Sequence, residues 1–153
     1  MAVFEQDFLM RQVQYLTQLL QQIIFKKNNN KQSEAIREIE NAFQRLTKEQ
    51  PQKLNELSLE ETIALFRHQG DFKSDLALAV ADLLIEEAQM LSDKNYSRSQ
   101  KAYQQALLLF KKTQNTASSA IPVNMEEKIS VAENNITNSE QLNLIDQLTD
   151  EDG

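Results

Sequence analysis

Glu87 is the residue in this chain whose position most asks for chemistry. It lies in the run Ser74 to Leu91, SDLALAVADLLIEEAQML, and on a helix turning about 100° per residue it projects among Leu76, Val80, Leu83 and Leu91. A carboxylate on an apolar face is costly unless something answers its charge. Three uses fit it: a pair with a lysine, arginine or tyrosine of a neighbouring helix, an exposed place on a less covered side, or contact with a ligand or a transferred proton. No second group turns the third use into catalysis. His68 is the single histidine, so a serine triad would have a base with nothing in the sequence to orient it. A di-iron bundle needs Glu-x-x-His on two helices, and the residue three before His68 is Leu65. With 2 glycines and no cysteine, glycine-rich phosphate loops, disulfides and thiolate metal sites are excluded. The expectation is no catalytic residue, no metal ligand and no cofactor, and hence no enzyme.

The elements that would position Glu87 are helices. In the run 74–91, Asp82, Glu86 and Gln89 share one narrow polar stripe while leucines, Val80, Ile85 and Met90 cover most of the remaining circumference. That pattern predicts a buried central helix, too interrupted by Asp82, Glu86 and Glu87 for a membrane span of ~20 apolar residues. Ala77, Ala81 and Ala88 line one side of it, where small residues let a neighbouring helix approach closely. A second helix from about Arg98 to Thr113 supplies the matching small residues Ser99, Ala102 and Ala106, with Tyr103, Leu109 and Phe110 also facing inward. The turn at 92–95 is short, so the two form an antiparallel hairpin. Ser97 with Gln100 reads as the capping box of the second helix.

Upstream, residues 4–27 carry two adjacent apolar seams. Leu9, Val13, Leu16, Leu20 and Ile23 form one, and Phe4, Phe8, Tyr15 and Leu19 form the other. Together they cover roughly 200° of the helix, more than the ~100° one partner needs. Both partners can lie within the same chain; the sharper expectation is that the first seam seals the core and the second is surplus, meeting another copy of the chain. The break KKNNNKQ offers asparagines for a left-handed cap. Residues 33–48 then read as an amphipathic surface helix. Ser58 with Glu61 is a capping box for a third helix starting at Leu59, with His68 in its last turn and Gly70 as its left-handed stop. Residues 114–123 are rich in Ser, Thr and Ala and predict a linker. Two modest helices follow, near 124–136 and 139–148, and the tail TDEDG is expected to fray. The domain reading is a helical core over 1–113, the linker at 114–123, and a C-terminal helical appendage over 124–153. The fold class is all-α, an antiparallel bundle of about five to seven helices.

Composition limits the partners. Lys and Arg number 16 against 23 Asp and Glu, a net charge of -7, which repels phosphate backbones and anionic lipid. No basic patch compensates, so neither nucleic acid nor membrane is expected as a partner. The start MAVFEQDFLMRQ has an acidic front and no small-residue cleavage site, unlike a secretory signal, which points to the cytoplasm.

Two resemblances accompany these readings. The opening DFLMR at residues 7–11, the apolar run to Phe25 and the stretch SEAIREIENAF resemble an uncharacterised family of small bacterial all-helical proteins, over residues up to about Lys112. That resemblance implies a helical fold and carries no activity. Tyr96, Ser99, Tyr103, Ala106 and Leu107 are similar in spacing to the second helix of a tetratricopeptide repeat, and Gly70-Asp71-Phe72 resembles its turn. Glu87 and Lys94 depart from that pattern and no ~34-residue period is visible, so the resemblance implies one repeat-like hairpin in residues 70–112.

The function expected from these features is that of a non-enzymatic interaction or scaffold module, self-associating as a homodimer through Phe4, Phe8, Tyr15 and Leu19 of the N-terminal helix. The alternative is a sensor of small molecules or peptides using a pocket near Glu87. An enclosed cavity lined by Glu87 and tyrosines would favour the sensor, and an apolar patch around Phe4 and Phe8 the module.

Overall fold

The computed structural model describes residues 2–48, 51–116 and 121–150, with side chains from residue 7 onward. Among the described residues the chain is an all-α bundle of seven helices. They are α1 (Ala2–Asn28), α2 (Gln32–Leu46), α3 (Leu59–Leu65), α4 (Ser74–Leu91), α5 (Tyr96–Thr116), α6 (Met125–Asn135) and α7 (Ser139–Asp150). A 3₁₀ turn at Leu54–Glu56 precedes α3, and the two-residue strands β1 (Arg67–His68) and β2 (Asp71–Phe72) separate α3 from α4.

Local chemistry sets most of the boundaries. Asn30 takes a φ of 61° after α1, and the Lys31 amide donates to the carbonyl of Lys26 at 2.8 Å, the long bond of a Schellman stop. Ser58 and Glu61 form the reciprocal capping box that opens α3, at 3.0 and 2.8 Å. The end of α3 differs from the sequence expectation. The helix stops at Leu65, and Gly70 caps nothing: with Gln69 it forms the tip of the β1–β2 hairpin, at φ values of 55° and 86°. Positive φ at both central residues is the signature of the tight turn that suits a two-residue hairpin. Arg67 pairs with Phe72 and His68 with Asp71, so His68 lies on β1 rather than in a helical turn. Phe66 and Phe72 anchor this reversal edge to face, 6.4 Å apart, in the core.

The start of α5 is a second correction. Asn95, not Ser97, provides the cap, accepting from the Arg98 amide at 3.2 Å. Gln100 is thereby free to bridge the α6–α7 loop, donating to the Asn135 carbonyl at 2.6 Å and accepting from the Thr137 amide at 3.0 Å. Helix α7 is capped by Asn138, which accepts from Glu140 and Gln141.

α4 and α5 form the most extensively packed antiparallel pair. Ser99 Oγ donates to the Ala88 carbonyl at 2.6 Å, which requires the two backbones to approach closely. Continuing that antiparallel register by two turns brings Ala81 opposite Ala106, both fully buried. The most enclosed stretch is in α5 rather than α4, since six consecutive residues, Gln105 to Phe110, are all buried. More than a full turn inaccessible on every side means that α5 is covered all round, and α3, α4, α6 and α7 all pack on it. The C-terminal helices expected as an appendage contribute Met125, Ala132, Ile136, Ile145 and Leu148 to the same core cluster as α1 to α5. Lys128 bonds Asp82 of α4 at 2.6 Å, and Lys111 of α5 bonds Asp146 of α7 at 2.7 Å. The linker expected at 114–123 includes residues 117–120, which lie outside the described residues, as does the tail from 151 onward. Thr149 and Asp150 belong to α7.

Candidate functional site

Glu87 is buried, with 4% of its surface exposed, because its neighbours Leu83, Leu84, Ala88 and Leu91 are all core residues of α4. One cation answers it. Arg98 of α5 reaches across so that a single nitrogen, Nη2, lies 2.9 Å from Glu40 Oε2 of α2 and 3.4 Å from Glu87 Oε2. The arginine therefore ties three helices together: its hydrogen bond goes to Glu87, while its shorter ion-pair contact goes to the more exposed Glu40. Glu87 is left under-compensated: burial pushes its carboxyl up to about 7, Arg98 draws it down, and Glu40 adds to the rise. The second oxygen, Oε1, has no hydrogen-bond partner among the described residues, and Arg98 Nε is buried without one.

This cluster lines a recess of about 140 Å³ between α2, the 3₁₀ turn, α4 and α5. Leu54, Leu84 and Phe43 give it an apolar wall, Glu40, Glu87 and Arg98 a charged one, and Gln44, Thr47, Asn55 and Lys53 a polar rim. It is open at one side and no tyrosine borders it. Among the described residues no group of three or more His, Asp or Glu is arranged to hold a metal ion.

The second candidate surface is α1. Phe8 and Tyr15 stand 56% and 39% exposed on one side of the helix, two turns apart. Arg45 of α2 sits over the Tyr15 ring, 5.2 Å from its centre. Two troughs flank Phe8. One of about 570 Å³ has Leu9, Leu65, Phe66 and Leu76 in its lining together with Arg45, Lys48, Arg67, His68 and Lys73. This is a local basic patch that the sequence expectation lacked, because α2, β1 and the segment before α4 are brought together only by the fold. The other, of about 310 Å³, runs past Tyr15, Leu16, Ala42 and Leu46 and is bordered by Arg11 and Arg45. Leu19 does not belong to this surface. It is 5% exposed and packs in the core, because the arc of α1 facing α2 and α4 is centred on Leu16 and Ile23, and Leu19 falls inside that arc rather than beyond it. Leu9, Val13 and Leu20 of the seam expected to seal the core are only partly buried. The side chain of Phe4 lies outside the described residues.

One buried polar group escaped the sequence reading. Gln105, fully buried on α5, donates to the Leu54 carbonyl at 2.8 Å and to Thr62 Oγ1 at 3.0 Å, fastening the 3₁₀ turn and α3 to the bundle. Its position one residue from Ala106 in an apolar run was the available signal. No helix among the described residues is long and apolar enough to cross a membrane. No protein-family model, no curated protein and no solved structure matches this chain.

Proposed function

We propose that this chain is a non-enzymatic helical interaction module that docks a second copy of itself through the outer side of α1. The observation that carries the reading is the exposure of two aromatic rings, Phe8 and Tyr15, on one side of a helix and beside troughs whose lining mixes apolar and basic side chains. Large apolar groups gathered in one place on a helical bundle mark interaction surfaces, because the exposed part of each, about half of Phe8 and less of Tyr15, forfeits that share of the roughly 1.5–3 kcal/mol that full burial supplies. A second copy is the occupant that the spacing favours. If two α1 helices cross antiparallel about a twofold axis near residues 11 and 12, Phe8 of each copy comes opposite Tyr15 of the other. Ring pairs formed twice over are the arrangement that aromatic quadrupoles prefer when offset or edge to face. The α4–α5 hairpin, with Ser99, Ala102 and Ala106 turned to α4, serves in this reading as a rigid, tetratricopeptide-like support for that helix.

The test is an isotope-mixed nuclear Overhauser experiment on equal parts labelled and unlabelled chain. Contacts between copies are expected from the Phe8 ring to the Tyr15 ring. Contacts between copies confined to other surfaces, or none at all, would overturn the proposal.

A further inference from the structure

The recess beside Glu87 has no part in the α1 interface, and its chemistry points to a ligand. Four features meet there. Glu87 is a carboxylate with 95% of its side chain hidden, since 5% is exposed, and among the described residues the hydrogen bond it accepts is to Oε2. The partner, Arg98, shares one nitrogen between two carboxylates, so with Glu87 ionised Glu40, Glu87 and Arg98 together leave one negative charge uncompensated. Leu54 and Leu84 offer an aliphatic wall a short chain can lie against. The volume, about 140 Å³, matches about four to five waters at ~30 Å³ each, room for a molecule of a few heavy atoms. Lys53, the other cation of the lining, is exposed at the rim, where solvent screens its charge.

We propose that this recess binds a small primary amine as its ammonium ion, the cation bonding Glu87 and Glu40 and its carbon chain lying against Leu54 and Leu84. An ammonium group donates three hydrogen bonds and accepts none. It can donate to Glu87 Oε1, which no donor among the described residues engages, and it supplies the positive charge the ionised cluster lacks, while Arg98 Nε, itself a donor, stays unmet. A carboxylate ligand would meet Glu40 and Glu87 at short range, and a neutral one would leave the net charge as it is.

Binding is linked to a proton. The charged groups facing Glu87 are Glu40 from α2, Arg98 from α5 and Lys53 beside the 3₁₀ turn. With burial holding its carboxyl near 7, Glu87 is about half protonated at neutral pH, and a bound ammonium favours the ionised form. The amine thus displaces up to about half a proton per site at pH 7.

Calorimetric titration of the intact chain with ethanolamine decides it, run at pH 7 in two buffers of different ionisation enthalpy, with acetate and glycine in parallel. Ethanolamine is expected to bind with millimolar affinity and to release protons, glycine more weakly, and acetate not at all at about 20 mM. Glu87→Gln should weaken the amine at least tenfold and abolish the proton release, and Glu40→Gln should weaken it severalfold. Where Glu87→Gln does not fold, as judged by its helical circular dichroism, the parent and Glu40→Gln carry the test. No heat with ethanolamine, no dependence on the buffer, acetate binding as well as the amine, or affinity unchanged in the variants would each overturn the proposal.

Discussion

Glu87 shows how one residue ties stability to pH. Its carboxyl sits at about 7 in the folded chain against an ordinary 4.5, so between those values the native state holds a proton that the unfolded chain has released. Unfolding in that window releases the proton, and raising the pH therefore favours unfolding. The parent should lose stability relative to Glu87→Gln as pH climbs from 5 to 8, by at most about 3 kcal/mol, read from denaturant midpoints across the range. Parallel pH curves for the two proteins would contradict the buried, under-compensated carboxylate. Ser58 acts by a shorter route. Ser58→Ala removes the bond to the Glu61 amide and should cost about 1 kcal/mol, and an unchanged midpoint would show that the cap contributes nothing. The Ser58 cap was legible in the sequence because both partners lie within one turn. The same four-residue pattern at Ser97 and Gln100 misled, because Asn95 caps two residues earlier and Gln100 finds its partners some 35 residues on. Nothing local to Gln100 announces a tertiary bond. That Glu87 sits among leucines was visible from helical spacing; that Arg98 would divide its attention between two carboxylates was not, since Glu40 is brought there only by the packing of α2.

The α4–α5 pair depends on small side chains where the backbones meet. Ala81 and Ala106 are inaccessible to solvent, and the bond from Ser99 to the Ala88 carbonyl fixes the spacing. Ala81→Leu or Ala106→Leu forces extra methylenes into a close-packed seam and should cost ~1–3 kcal/mol each. Thermal or denaturant midpoints equal to the parent would mean that the seam has room. Periodicity made this pairing readable, since alanines spaced by one or two turns on both helices line up in either direction along the chain. Two other elements were not readable in the same way. Gly70 looked like a helix stop because glycine serves both as a helix cap and as a hairpin tip, and the choice is made by Phe66 and Phe72 burying on either side of the reversal. Leu19 looked like surplus because two seams counted separately merge into one arc once α2 and α4 both pack against α1. The buried arc of a helix is set by how many neighbours it has, and the count of neighbours is not written in its own sequence.

At the scale of the molecule, the all-α bundle followed from composition, with 2 glycines and 2 prolines leaving few breaks, while the arrangement around α5 did not. The run LLLF is buried on every side because four helices pack on α5. The C-terminal helices joining the core through Ile145 and Leu148 depend on contacts far apart in sequence, beyond any periodic signal. Among the large apolar groups that the packed core leaves exposed are Phe8 and Tyr15 on one side of α1, and the account turns on what covers them. Phe8→Asp puts a charge at the edge of that side, where the residue is more than half exposed, so the fold should survive with helicity nearly unchanged while association is lost. Sedimentation equilibrium of the parent and of Phe8→Asp at about 50 µM is the direct measurement. The account predicts twice the chain mass of 17.6 kDa for the parent and the single mass for the variant. A parent that sediments as a monomer, or a variant that still pairs as the parent does, would contradict it.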